Sequence, residues 1–231
     1  MTFILIHSPL VGPLFWKPTA AALTSTGCAA ITPRITSPAD HAGSYVRLHV
    51  DQIADQLPDV SDPDVFLVAH SGAGALLAAL RVDMALSPAM IFVDCDLPEQ
   101  GKSRFDQFPP EALAAFRAEA TSGMLPVLWS EADLQSTLVC ADVRRRFVEE
   151  LRPTPLCVYE EPIPIGVGAA ERDHGYVLLT GQYQDSFDIA AARGWVTERH
   201  ESSHFHPLND PARMAGMLVR VGTRIGERRR R

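Results

Sequence analysis

The stretch Val65-Phe66-Leu67-Val68-Ala69-His70-Ser71-Gly72-Ala73-Gly74-Ala75-Leu76-Leu77 decides how this chain is read. A continuous apolar run, Val65–Ala69, leads to a serine set among small residues, and a helical pattern follows. Such a run closed by a tight turn suits a central strand buried on both faces. Small neighbours let strand and helix approach closely, which would stand Ser71 on a sharp, exposed turn, the geometry of a nucleophile elbow. The pattern here is small-x-Ser-x-small, with Ala69 and Ala73 at the flanking positions. A serine that only caps a helix after a buried strand is the other reading of the same residues.

Outward from this stretch, apolar runs and helical patterns alternate. Strands are expected over Phe3–His7, Ala29–Thr32, Val65–Ala69, Met90–Val93, Tyr176–Thr180 and Trp195–Arg199. Helices are expected over Phe15–Thr26, Tyr45–Leu57 (ended by Pro58), Gly72–Arg81, Tyr183–Arg193 and Pro211–Val221. Strand–helix alternation calls for a mostly parallel sheet, right-handed crossovers and helices on both faces. Between Pro98 and the fifth strand the alternation stops. Helices are expected there over Pro109–Ala120 and within Leu134–Leu151, and the proline-rich Pro153–Pro164 leads back. The expected organisation is a core of residues 1–98 and 175–231 with a helical cap, 99–174, inserted over the ends of the sheet.

The 231 residues suit one α/β domain carrying an insertion. Apolar residues at 46% and charged residues at 21% describe an ordinary globular chain, and a net charge of −7 argues against a nucleic-acid partner. No apolar run approaches the ~18 residues of a membrane span, and the start Met1-Thr2-Phe3-Ile4-Leu5-Ile6 has no basic signal-peptide segment. Cys28, Cys95, Cys140 and Cys157 follow neither disulfide-framework nor zinc spacing. The expectation is a cytoplasmic protein that needs no metal or cofactor. Arg144-Arg145-Arg146 and the run Arg228–Arg231 read as solvated faces.

Three polar features fall at one edge of the expected sheet. Ser71 closes the third strand, Asp94 and Asp96 follow the fourth, and His204 lies in the loop after the last. A serine hydroxyl becomes a useful nucleophile when a histidine takes its proton, and a carboxylate orients that histidine. The order Ser, Asp, His fits one such arrangement.

With these residues in view, the sequence resembles the α/β-hydrolase superfamily over nearly its whole length. Ile4-Leu5-Ile6-His7-Ser8-Pro9 with Trp16 is similar to that family's strand, oxyanion loop and helix-facing tryptophan. Ala69-His70-Ser71-Gly72-Ala73 resembles its elbow, and His204-Phe205-His206-Pro207 resembles its histidine segment. The resemblance implies Ser71 as nucleophile and His204 as general base, with His206 the second candidate. Most members carry the acid after the next-to-last strand as Gly-x-x-Asp, but Gly181-Gln182-Tyr183-Gln184-Asp185 has glutamine at that place. A minority carry it one strand earlier, and Phe92-Val93-Asp94-Cys95-Asp96-Leu97-Pro98 looks like their segment, which favours Asp94 with Asp185 and Asp96 in reserve.

The oxyanion hole departs from the family pattern. Gly72 supplies one N–H, but the usual second position is Pro9, which has none. Leu10 N–H is the expected replacement, with the Ser8 hydroxyl as alternative. Pro9, His70, Asp96, Phe15 and Trp16 are expected around the substrate. The expected function is hydrolysis of a small or medium ester or thioester through an acyl-enzyme. A lyase or cyclase using the same residues for acid–base chemistry, and a non-catalytic ligand receptor, are the alternatives.

Overall fold

The computed structural model describes residues 1–57, 64–83, 88–165 and 173–230. Pro58 and Arg231 therefore lie outside the described residues. Six strands form one fully parallel sheet: β1 Thr2–Ile6, β2 Ala29–Ile31, β3 Val65–His70, β4 Ala89–Val93, β7 Gly175–Leu178 and β8 Val196–Arg199. The strand order is β2-β1-β3-β4-β7-β8. A second, two-stranded antiparallel sheet pairs β5, Met124–Leu125, with β6, Thr154–Pro155. Helices α1 Lys17–Ser25, α2 Tyr45–Ala54, α3 Leu77–Asp83, α7 Gln184–Ala192 and α9 Pro211–Arg229 accompany the large sheet. Short α8, His206–Asn209, precedes α9, while α4 Pro110–Glu119, α5 Ala141–Glu150 and α6 Cys157–Glu160 lie between β4 and β7 in the chain.

Alternation along the strands builds two apolar layers. Phe3, Leu5, Phe66, Val68, Ile91 and Val177 face one side, where Leu23 of α1 and Leu218, Val221 and Ile225 of α9 cover them. Ile4, Ile6, Leu67, Ala69, Phe92 and Tyr176 face the other, against Val46, Val50 and Ile53 of α2 and Leu77 and Leu80 of α3. Both faces of β3 are thus covered, which is why its sequence is an unbroken apolar run. A third cluster of Tyr45, Phe105, Leu125, Val158 and Tyr159 joins the inserted elements to the core.

One expected helix takes a different form. The turn after β3 first winds as a 3-10 helix, Ser71–Leu76, and becomes α-helical at Leu77. Gly72, Ala73, Gly74 and Ala75 are small enough for that tighter winding. The stretch Leu134–Leu151 is helical only as α5. Upstream, Asp133 accepts from the Ser130 N–H and hydroxyl in a closed turn, and Cys140 is extended. Local side-chain bonding of this kind competes with helix. On α5, Arg145 pairs with Asp142 and Glu149, a solvated face as expected.

The chain leaves β1 toward β2 at one edge and returns to β3 on the other side of β1. The carboxyl ends of β1 and β3 therefore flank a topological switch point, the usual ligand crevice of an open α/β sheet. Ser8 follows one of these strands and Ser71 the other.

Candidate active site

Ser71 adopts φ 56°, a left-handed conformation that costs a non-glycine residue about 1–2 kcal/mol. The sharp reversal from β3 lifts its side chain into a cavity of about 540 Å³ at the carboxyl edge of the sheet. Close approach explains the small neighbours. A Cβ on Gly74 would lie 2.9 Å from the Asp96 carbonyl, and one on Gly72 would lie 2.8 Å from the Tyr159 hydroxyl.

Asp94 also has positive φ, 46°, and is fully buried. Its Oδ1 accepts from the Leu179 N–H at 2.9 Å and the Thr180 N–H at 2.8 Å. Its Oδ2 accepts from the Thr180 hydroxyl at 2.9 Å and lies 2.7 Å from His204 Nδ1. Four donors thus converge on one carboxylate. The end of β7 thus clamps the carboxylate that follows the neighbouring strand β4. Tyr176 secures the same loop, donating its hydroxyl to the Cys95 carbonyl at 2.5 Å and accepting from the Cys95 N–H. Asp185 is exposed at the cavity rim on the first turn of α7.

His204 is held from three sides. Asp94 fixes Nδ1; His70 Nε2–H donates to the His204 carbonyl at 3.0 Å; the Tyr183 ring stacks on the imidazole at 5.6 Å between centroids. His70 is itself stacked on Phe15 at 4.3 Å, and burial pushes its pKa well down, so it is a neutral prop at neutral pH. Tyr183 and Ser71 line the same cavity. His206 instead bonds Ser202 through Nδ1, away from this cluster. His70, Asp94 and His204 could each offer one atom within 4.8 Å of the others to a metal ion. Both Asp94 oxygens already accept two hydrogen bonds each, so metal ligation by Asp94 would have to displace one of them.

The loop that follows β1 forms another side of the cavity. His7 Nδ1–H donates to the Ser8 carbonyl at 2.9 Å while Nε2 accepts from the Ile35 N–H, and burial lowers this imidazole's pKa to about 4. The Leu10 N–H points to Ser8 Oγ at 3.4 Å, and Ser8 Oγ lies 3.3 Å from the Tyr159 hydroxyl. Arg104, 3% exposed, donates Nε–H to the Gly72 carbonyl at 2.8 Å and Nη1–H to the Val158 carbonyl at 2.7 Å. Sequence reading singled out neither Tyr159 nor Arg104. The only signal was an arginine and a tyrosine within the inserted segment.

Ser8, Leu10, His70, Asp96 and Phe15 line the cavity. Burial raises the Asp96 carboxyl to about 6, opposed by the Ser186 side chain. Trp16 corrects an expectation: it is fully buried with its indole N–H on the Ile6 carbonyl, outside the cavity wall. Its large ring packs in the apolar layer with Phe15 and Leu23. Pro9 also stands outside the wall, its carbonyl accepting from the Thr154 hydroxyl.

No family model matches this sequence, and no curated protein matches it. Solved structures do. An extracellular α/β-hydrolase from a Paenibacillus species, described as sharing structural and functional homology with tobacco salicylic acid binding protein 2, superposes with TM-score 0.77 at 20% identity, over 96% of this chain and 99% of that one. A methylesterase from Arabidopsis gives TM-score 0.68 at 15% identity, over 96% and 99%. Polyneuridine aldehyde esterase gives 0.63 at 11%, over 95% and 98%. The shared architecture is the α/β-hydrolase fold.

Proposed function

We propose that this chain of α/β-hydrolase fold is a serine hydrolase that cleaves a small or medium carboxylic ester through an acyl-enzyme, with thioesters as the second substrate class. One observation carries the reading. His204, bonded at 2.7 Å to the buried Asp94, shares a cavity with a serine held at φ 56°.

In this mechanism Ser71 Oγ attacks the ester carbonyl as His204 Nε2 takes its proton. Asp94 keeps the His204 proton on Nδ1, which leaves Nε2 free as base, and stabilises the imidazolium that forms. Gly72 N–H donates to the oxyanion. The Ser71 hydroxyl turns to His204 as substrate enters, because catalytic hydrogen bonds commonly tighten at that stage. The imidazolium then protonates the departing alcohol, and water, activated by His204, hydrolyses the acyl-enzyme. The apolar wall of Phe15, Phe108 and Phe116 suits an aromatic or short acyl group.

The test is a panel of nitrophenyl esters of graded chain length, with acyl-CoA thioesters, run on the wild type and Ser71→Ala. Turnover of the esters by the wild type, lost by at least 10³-fold in Ser71→Ala, is expected. Equal turnover by both proteins would reject the acyl-enzyme in favour of acid–base chemistry on the same residues.

A further inference from the structure

We propose that the Tyr159 hydroxyl is the second oxyanion donor, a catalytic group supplied by the segment inserted between β4 and β7. The proposal deepens the serine-hydrolase reading and rests on it. Pro9 removes the backbone donor this loop would ordinarily offer, and the Leu10 N–H is directed at Ser8 Oγ. The hole therefore has the Gly72 N–H and needs a partner.

Geometry points to Tyr159. Its hydroxyl lies 2.8 Å from the position a Gly72 Cβ would occupy. That position is about 2.5 Å from the Gly72 nitrogen by standard covalent geometry, so donor oxygen and donor nitrogen are at most about 5.3 Å apart. An oxyanion accepting two bonds of 2.7–3.1 Å fits between donors separated by up to roughly 6 Å. Gly72, Ser71, Tyr159 and Ser8 all face the one cavity.

The surroundings orient this hydroxyl. The Leu10 N–H occupies a lone pair of Ser8 Oγ, so the Ser8 proton is free to turn to Tyr159 Oη at 3.3 Å. The Tyr159 proton is then left for the cavity. Arg104 bridges the Gly72 and Val158 carbonyls, which fixes the elbow against the residue preceding Tyr159. Its guanidinium carbon lies 5.6 Å from the Tyr159 ring centroid, where positive charge polarises the phenol toward donation. Burial raises the Tyr159 pKa, so the group stays protonated and able to donate at neutral pH. Ser8 and Arg104 are positioning residues in this scheme.

The experiment compares wild type, Tyr159→Phe, Ser8→Ala and Ser71→Ala by ester turnover and by the rate at which a fluorophosphonate labels Ser71. Phenylalanine keeps the ring packed among Phe105 and Phe116. Tyr159→Phe is expected to lower kcat by about 10²-fold with KM within threefold, and to slow labelling in parallel, as loss of one oxyanion donor does. Ser8→Ala is expected to lower kcat by about tenfold, since it removes orientation only; this variant also carries the test should Tyr159→Phe not fold. Tyr159→Phe turnover and labelling within threefold of wild type would overturn the assignment while leaving Ser71 as nucleophile. A larger loss in Ser8→Ala than in Tyr159→Phe would overturn it in favour of Ser8. Failure of the serine-hydrolase reading looks different: Ser71 of the wild type stays unlabelled and Ser71→Ala keeps its turnover.

Discussion

Replacing Asp94 by asparagine changes one atom and should silence the proposed site. Oδ1 accepts the Leu179 and Thr180 N–H groups at 2.9 and 2.8 Å, so an asparagine must put its carbonyl oxygen there. The amide nitrogen then falls where Oδ2 stood, 2.7 Å from His204 Nδ1. Two N–H donors cannot face each other at that distance. His204 must move its proton to Nε2, the atom that should accept from Ser71. The Thr180 hydroxyl can turn to accept from the new amide, so the fold is expected to survive. A wrong-tautomer histidine lowers kcat by about 10⁴ in serine hydrolases, equivalent to roughly 5 kcal/mol of transition-state stabilisation. The assay is kcat on a nitrophenyl ester that the wild type turns over, beside the melting temperature of each protein. A folded Asp94→Asn variant within tenfold of wild type would refute the role given to Asp94, and a dead Asp185→Asn beside it would move the acid to α7.

Other perturbations separate fold from chemistry. His7 and His49 are held neutral by burial, with pKa values lowered from 6.5 to about 4 and about 3. Burial penalises the protonated rings, so stability is greatest above pH 6.5 and falls as pH drops toward 4; His7 alone should withdraw about 3 kcal/mol, measured by urea unfolding across that range. A flat profile in the wild type would contradict the burial of both rings. Asp96 has the opposite sign. Its carboxyl is raised from 3.8 to about 6, so ionisation costs stability as pH rises through that interval. Asp96→Asn should therefore raise unfolding free energy at pH 8 by up to about 3 kcal/mol, with the gain gone below pH 4. Gly74→Ala should destabilise the elbow and depress activity, because its methyl meets the Asp96 carbonyl at 2.9 Å, a backbone atom that cannot swing aside.

What could be read from the sequence follows from how local each signal is. The buried run of β3, the small residues about Ser71 and the loop position of His204 are short-range features, and they put three polar groups at one sheet edge. The Asp94–His204 contact spans 110 residues, yet a parallel order makes it foreseeable, because β4, β7 and β8 are neighbours. Trp16 misled because an aromatic beside a polar loop at the sheet edge reads equally as pocket or core, and only the layer beneath the loop decides. Tyr159 and Arg104 were illegible for a different reason. The inserted segment has little periodicity, and nothing in Leu156-Cys157-Val158-Tyr159 marks a residue that lands against Gly72.

The central claim is a covalent intermediate on Ser71, and rapid quenching tests it most directly. Wild-type protein mixed with a nitrophenyl ester, quenched in acid and measured by intact mass and peptide mapping should carry one acyl group on the peptide containing Ser71. Turnover of that ester without any acylated Ser71 peptide, and with Ser71→Ala equally active, would contradict it.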